Sequence, residues 1–323
     1  ALCERVFMPW VDMADLMRQE GVPLFSLETR SPIGGFDMLG VTLQYEMSYT
    51  NILEMLDLAG IPLHSENRTW DHPIVIAGGP CAFNPEPLYA FIDAFSIGDG
   101  EISTLETIDV VKQCKQEGVS REECLRRLSR LHGVYVPSLY HASYNEDGTL
   151  ASFEPTEEGV PRTVVKNMIA NIDTAAYPES IIVPFMEIVH DRINIEVLRG
   201  CTRGCRFCQA GMIYRPVRER SVEPLRIDAR KFVRYEDIPV AVYDAVKGTG
   251  FLFQRSVIGD LVARTEGHIL TRLFSVDADI AVAEKAAEGE RTLRIDAVGE
   301  IFERRCFAYG ELFQLFYPFF RPA

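Results

Sequence analysis

The chain has 323 residues, enough for two domains, and its 47% hydrophobic and 25% charged content is that of an ordinary soluble protein. A net charge of −14 argues against a general nucleic-acid binder, which carries a basic footprint. No run of about 18 or more apolar residues offers a membrane span, and no secretory leader opens the chain.

The opening, ALCERVFMPWVDMADLM, reads as the tail of a strand followed by a helix. Residues 36–101 then alternate strand and helix. FDMLGVTLQY has strand character. MSYTNILEMLDLAGIPL has helical spacing, with Ile52, Met55, Leu56 and Ala59 on one face and Gly60 at its C-terminal end. HPIVIAGGP is a buried strand stopped by Gly78, Gly79 and Pro80, and FIDAFSIGDGE a further strand ending at Gly98 and Gly100. Strands alternating with helices predict a parallel sheet with right-handed crossovers. Ligands on such sheets sit at the carboxyl ends of strands, where both glycine turns fall. GDGE is not the dinucleotide fingerprint, and either turn alone reads most simply as tight strand-to-helix turning.

Residues 102–132 are helical in pattern, with Ser120 and Glu123 as a capping box and Leu125, Leu128 and Leu131 as a packing stripe. VYVPSLYHASYNEDGTLASFEP reads as a hairpin turning at residues 145–148. In IIVPFMEIVHDRINIEVLRGC, Ile193, Ile195 and Val197 alternate with polar residues, the period of a strand.

The chemistry lies in the next string, RGCTRGCRFCQAG. Cys201, Cys205 and Cys208 stand at C-x3-C-x2-C spacing. Thiolates are soft ligands that select iron–sulfur clusters, zinc or Cu(I). Structural zinc wants four ligands, and no fourth Cys or His follows before His268. Three thiolates would fill three corners of a cubane and leave one iron open. Gly200, Gly204 and Gly211 permit a tight loop, and Arg199, Arg203 and Arg206 set positive charge beside an anionic cluster. Structural zinc and incidental buried thiols remain alternatives. The five scattered cysteines, Cys3, Cys81, Cys114, Cys124 and Cys306, read as free thiols of a reducing cytosol rather than a disulfide framework.

RGCTRGCRFC resembles the signature of the radical S-adenosylmethionine (radical SAM) superfamily. The resemblance implies that Cys201, Cys205 and Cys208 hold a [4Fe–4S] cluster. It further implies that S-adenosylmethionine chelates the open iron and is cleaved to a 5′-deoxyadenosyl radical that acts on an unknown substrate. Phe207 and Gly204 would lie beside S-adenosylmethionine, Phe207 being otherwise an ordinary core aromatic. An electron donor such as flavodoxin or ferredoxin is implied as partner. No residue stands out as catalytic.

LQYEMSYTNILEMLDLAGIPL and GGPCAFNPEP, with RGCTRGCRFCQAGMIYRPVRERS, resemble a subfamily of radical SAM proteins with a cobalamin-binding-type domain, over residues 1–221. Cobalamin is therefore a further cofactor to consider, although the D-x-H-x-x-G motif is absent. The first strands of such a domain would lie upstream of residue 1.

After Ser221 the resemblance stops. AVYDAVKG and VIGDLVAR have apolar positions at helical spacing, GTGFLF is a poor substitute for the family's glycine-rich methionine-binding string, and FQLFYPFF is densely aromatic. Asp277, Asp279 and Asp296 form at most a weak carboxylate set. Arg199, Arg203, Arg206, Arg215, Arg218 and Arg220 make a basic strip, read as charge balance or, more sharply, as an RNA or nucleotide contact.

The expected fold class is α/β. An incomplete doubly wound, cobalamin-binding-like, Rossmann-type parallel sheet comes first, then the start of a radical SAM (β/α) barrel that is truncated or replaced. The expected divisions are 1–132 for the sheet domain, 133–185 for a β-rich connector, 186–230 for the cluster-loop region and 231–323 for the tail. The expected activity is reductive cleavage of S-adenosylmethionine. The alternatives are a non-catalytic iron–sulfur or metal-binding protein, or an inactive fragment. The expected location is the cytoplasm.

Overall fold

The computed structural model of the chain describes residues 2–176 and 193–221, Pro224, and two strands at 240–244 and 249–253. The chain divides into two compact units, Ala1–Ile169 and Ala170–Ala323.

The first unit opens with helix α1 (Val11–Glu20), ended by Gly21 in the left-handed conformation. Residues 2–10, expected to carry the tail of a strand, form none. Strand β1 (Met38–Thr42), helix α2 (Tyr49–Leu58) and strand β2 (Ile74–Gly78) follow as the sequence predicts. Strand β3 (Ala94–Ser96) is shorter than its apolar run. Helices α3 (Gly100–Glu117) and α4 (Arg121–Ser129) lead to strand β4 (Val134–Tyr135). The strand order is β1-β2-β3-β4; the first three are parallel, and β4 runs antiparallel to β3. The crossover from β2 to β3 carries only short 3-10 turns at Pro80–Phe83 and Glu86–Leu88.

The period of the strands sorts their side chains into two cores. Val75, Ala77, Phe95 and Tyr135 pack with Ala14 and Met17 of α1 and with Ile52 and Leu56 of α2. Ile74, Ile76, Ala94 and Val134 pack with Val111 and Cys114 of α3 and Cys124 and Leu128 of α4. Helices thus cover both faces of a largely parallel sheet, the layering of a Rossmann-like domain. Burial on both faces explains why β2 reads as an unbroken apolar run. Half of the predicted capping box forms at α4: Ser120 Oγ accepts from the Glu123 N–H at 3.2 Å, while the Glu123 carboxylate pairs with Arg126 and Arg127.

Between the layers sits a buried ionic knot. Asp93 Oδ2 accepts from Arg68 Nη1 at 2.9 Å, Arg121 Nη2 at 2.9 Å and the Val75 N–H at 2.7 Å. Further guanidinium donors reach main-chain carbonyls: those of Pro62, Leu63 and Phe91 for Arg68, and of Thr69, His72 and Pro73 for Arg121, whose Nε alone is buried without a partner. Both arginines therefore tie surface loops to the sheet. The predicted hairpin is present as β5 (Tyr140–Tyr144) and β6 (Leu150–Pro155), with Tyr140 and Phe153 stacked at 5.4 Å.

The second unit contains strands β7 (Ile193–Glu196) and β8 (Leu198–Arg199), short helix α5 (Ala210–Ile213), and strands β9 (Arg218–Glu219), β10 (Val240–Asp244) and β11 (Thr249–Phe253). β7 pairs parallel with β10, and β10 antiparallel with β11. AVYD, expected as helix from its spacing, is therefore strand: a few apolar residues fit either period, and pairing with β7 decides. VIGDLVAR, the aromatic run FQLFYPFF and Asp277, Asp279 and Asp296 lie outside the described residues. Among the described residues no helix is long and apolar enough to cross a membrane.

Candidate metal centre

The three cysteines lie on the loop 200–217, whose ends are held together by β8 and β9. Leu198 pairs with Glu219 and Arg199 with Arg218. The Arg220 N–H extends this closure to the Val197 carbonyl at 2.9 Å, and the Ser221 N–H reaches Asp173 Oδ1 at 2.8 Å. Gly200, just before Cys201, has φ +104, and a Cβ there would stand 2.7 Å from both Pro216 O and Val217 Cα. Only glycine allows the two ends of the loop to approach so closely.

The loop is irregular until Cys208, whose N–H bonds to the Cys205 carbonyl at 3.1 Å, closing a tight turn over residues 205–208. Gln209 then starts α5, accepting from the N–H groups of Met212 and Ile213 at 2.8 and 3.1 Å. Gly211 presses on the Arg203 carbonyl, where a Cβ would come within 2.9 Å. The thiols thus sit on a loop fixed at its base and along its later half. Cys205 is exposed, and Cys201 and Cys208 are half-buried.

Among the described residues, no group of three or more His, Cys, Asp or Glu stands close enough to hold a metal ion. The structure therefore keeps the three thiols on one loop without gathering them into a ready ligand set. Their chemistry fits a cluster: three soft donors at short spacing, with no carboxylate between Cys201 and Cys208. Gly204 borders open space, since a Cβ there would meet nothing within 4 Å.

Phe207, between Cys205 and Cys208 in sequence, is 93% exposed, which overturns the core-aromatic reading. The basic strip divides. Arg218 and Arg220 are buried, and Arg199 makes a two-bond ion pair with Glu196 at 2.8 and 3.0 Å. Of the six arginines of the strip, Arg203, Arg206 and Arg215 are exposed.

Elsewhere the thiols are quiet. Cys81, in the GGPCAFNPEP string, has its thiol pushed up by burial and then by Glu46, so it is a poor nucleophile. Cys114 and Cys124 are fully buried, and burial raises the Cys124 thiol to about 12. All seven described cysteines are free. Sequence reasoning missed the Arg68–Asp93–Arg121 knot, because each member alone looks like surface charge.

Residues 1–137 match the family model described as radical SAM proteins, N-terminal. An uncharacterized protein of Methanocaldococcus jannaschii is 27% identical over 222 residues, covering 68% of this chain and 40% of that protein. The chain thus spans about 40% of the length of the curated relative it matches. No solved structure matches. The family match falls on the sheet unit and supports kinship with radical SAM proteins.

Proposed function

We propose that the chain binds a [4Fe–4S] cluster through Cys201, Cys205 and Cys208 and uses it, with S-adenosylmethionine, for radical chemistry on a substrate not yet known. The supporting observation is the loop itself: C-x3-C-x2-C spacing, ends pinned by β8–β9 pairing, and Gly200 pressed against Val217. The similarity of residues 1–137 to radical SAM N-terminal domains supports the same reading independently.

The chain's own residues have separable tasks. Gly200 and the β8–β9 pair hold the loop entrance, so that Cys201 starts from a fixed point. The turn 205–208 brings Cys205 and Cys208 onto one bend. Phe207, between them in sequence and open to solvent, offers an aromatic face to an adenine ring. Arg203 and Arg206 moderate the negative charge that three thiolates would create. When bound, the cluster supplies the electron that cleaves the sulfonium; the protein supplies position and shielding. A small acidic redox protein such as flavodoxin or ferredoxin is the electron donor of this scheme, and a reducing compartment suits the free thiols.

The test is turnover. Protein reconstituted without oxygen, then given dithionite and S-adenosylmethionine, should release 5′-deoxyadenosine, and Cys205→Ala should release none. A wild-type protein that keeps its iron and releases none is an iron–sulfur protein without this activity, and the enzymatic reading fails.

A further inference from the structure

The carboxyl ends of β2 and β3 are where an open α/β sheet holds phosphate or cofactor groups. In this chain both glycine turns there are already filled, by the chain's own backbone. Gly79, at φ +104, lies against Leu43; a Cβ would stand 2.8 Å from the Leu43 carbonyl oxygen, and that oxygen accepts from the Cys81 N–H at 3.1 Å.

The turn after β3 is closed more thoroughly. Gly98 has φ +107, and a Cβ there would overlap the Asn167 carbonyl oxygen. Gly133 has φ +74, and a Cβ there would stand 2.8 Å from the Asn167 nitrogen. The Asn167 main chain passes these two glycines and pairs as a parallel strand would: its N–H donates to Ile97 O at 2.8 Å, and its carbonyl accepts from the Asp99 N–H at 2.9 Å. Its side-chain amide donates to Asp99 O at 3.0 Å. Asp99 Oδ2 accepts from the Ile169 N–H at 2.8 Å, so the residue that opens α3 is turned to the connector. The Asp99 N–H is thus taken by the strap, and a carboxylate stands at the opening of α3.

We propose that residues 164–169 are a strap built to occupy the carboxyl edge of the sheet, and that Gly98, Asp99 and Gly133 are its receptor. The glycines here admit main chain rather than a corrinoid or a dinucleotide. Cobalamin therefore does not fit the described edge, despite the resemblance of the strings that form it.

The test uses hydrogen exchange on the full chain, with hydroxocobalamin as the corrinoid probe. The amides of Asp99, Asn167 and Ile169 should exchange slowly, and no corrinoid colour should co-elute with the protein after gel filtration. Gly98→Ala should speed exchange across residues 164–169 at least tenfold while α4 stays protected. Should Gly98→Ala fail to fold, Asn167→Pro removes both donors of that residue, the N–H to Ile97 and the side-chain amide to Asp99, and should give the same loss. Stoichiometric retention of hydroxocobalamin, or strap amides that exchange freely in the wild type, would overturn the proposal.

Discussion

Gly200 and Val217 stand so close that a single added carbon at Gly200 would come within 2.7 Å of the Val217 Cα. This contact closes the base of the cysteine loop, and φ +104 at Gly200 makes it available to glycine alone.

Gly200→Ala should therefore lower stability, by about 1–3 kcal/mol from backbone strain alone, and should cut iron retention after reconstitution. Gly35→Ala, outside the cysteine loop, is the control, because a Cβ there meets nothing within 4 Å and φ is not in the left-handed region. Thermal unfolding and iron content of the two variants, measured side by side, check the pair. Equal behaviour would remove the loop base from the account.

Asp93→Asn tests the buried knot. It leaves Arg68 and Arg121 buried with no counter-charge, and breaking a buried pair costs about 3–5 kcal/mol. Asp93 Oδ1 has no hydrogen-bond partner, so the carboxylate holds its place through charge and the three donors on Oδ2. Urea unfolding should show a lower midpoint with an unchanged slope. A loss under about 1 kcal/mol would mean that the arginines find other partners.

The buried thiols predict a pH effect. An ordinary cysteine ionises near 9, whereas Cys124 is held up to about 12 by burial and by its contact with Cys114. Between those values the unfolded thiol gives up its proton and the folded one does not, so the unfolded chain binds fewer protons and stability falls as pH rises. Below about 9 the two states are alike for this group and the contribution is complete. Denaturant midpoints followed from pH 8 to pH 11 should drop less in Cys124→Ala than in the wild type. At pH 8, alkylation of native protein should label Cys3 and Cys205 and spare Cys114 and Cys124, as peptide mapping would show.

The sheet was legible in the sequence wherever a period had room to declare itself. β1, α2 and β2 follow apolar runs bounded by glycine and proline, and the hairpin β5–β6 follows its turn residues. Antiparallel β4 was hidden because two residues carry no period. The strap was hidden for a different reason. Asn167 meets Gly98 and Gly133 through main chain, and main-chain contacts leave no side-chain pattern. At the candidate site the three cysteines were legible from spacing, and the closure of their loop was not. That closure depends on Gly200 meeting Pro216 and Val217, which no local rule announces.

Metal content decides the central claim most directly. The full chain, reconstituted under strict exclusion of oxygen, should carry about four irons and four acid-labile sulfides, the content of one cubane, and Cys201→Ala, Cys205→Ala and Cys208→Ala should each lose most of them. Zinc bound tightly in place of iron, or iron retained equally in all three variants, would contradict it.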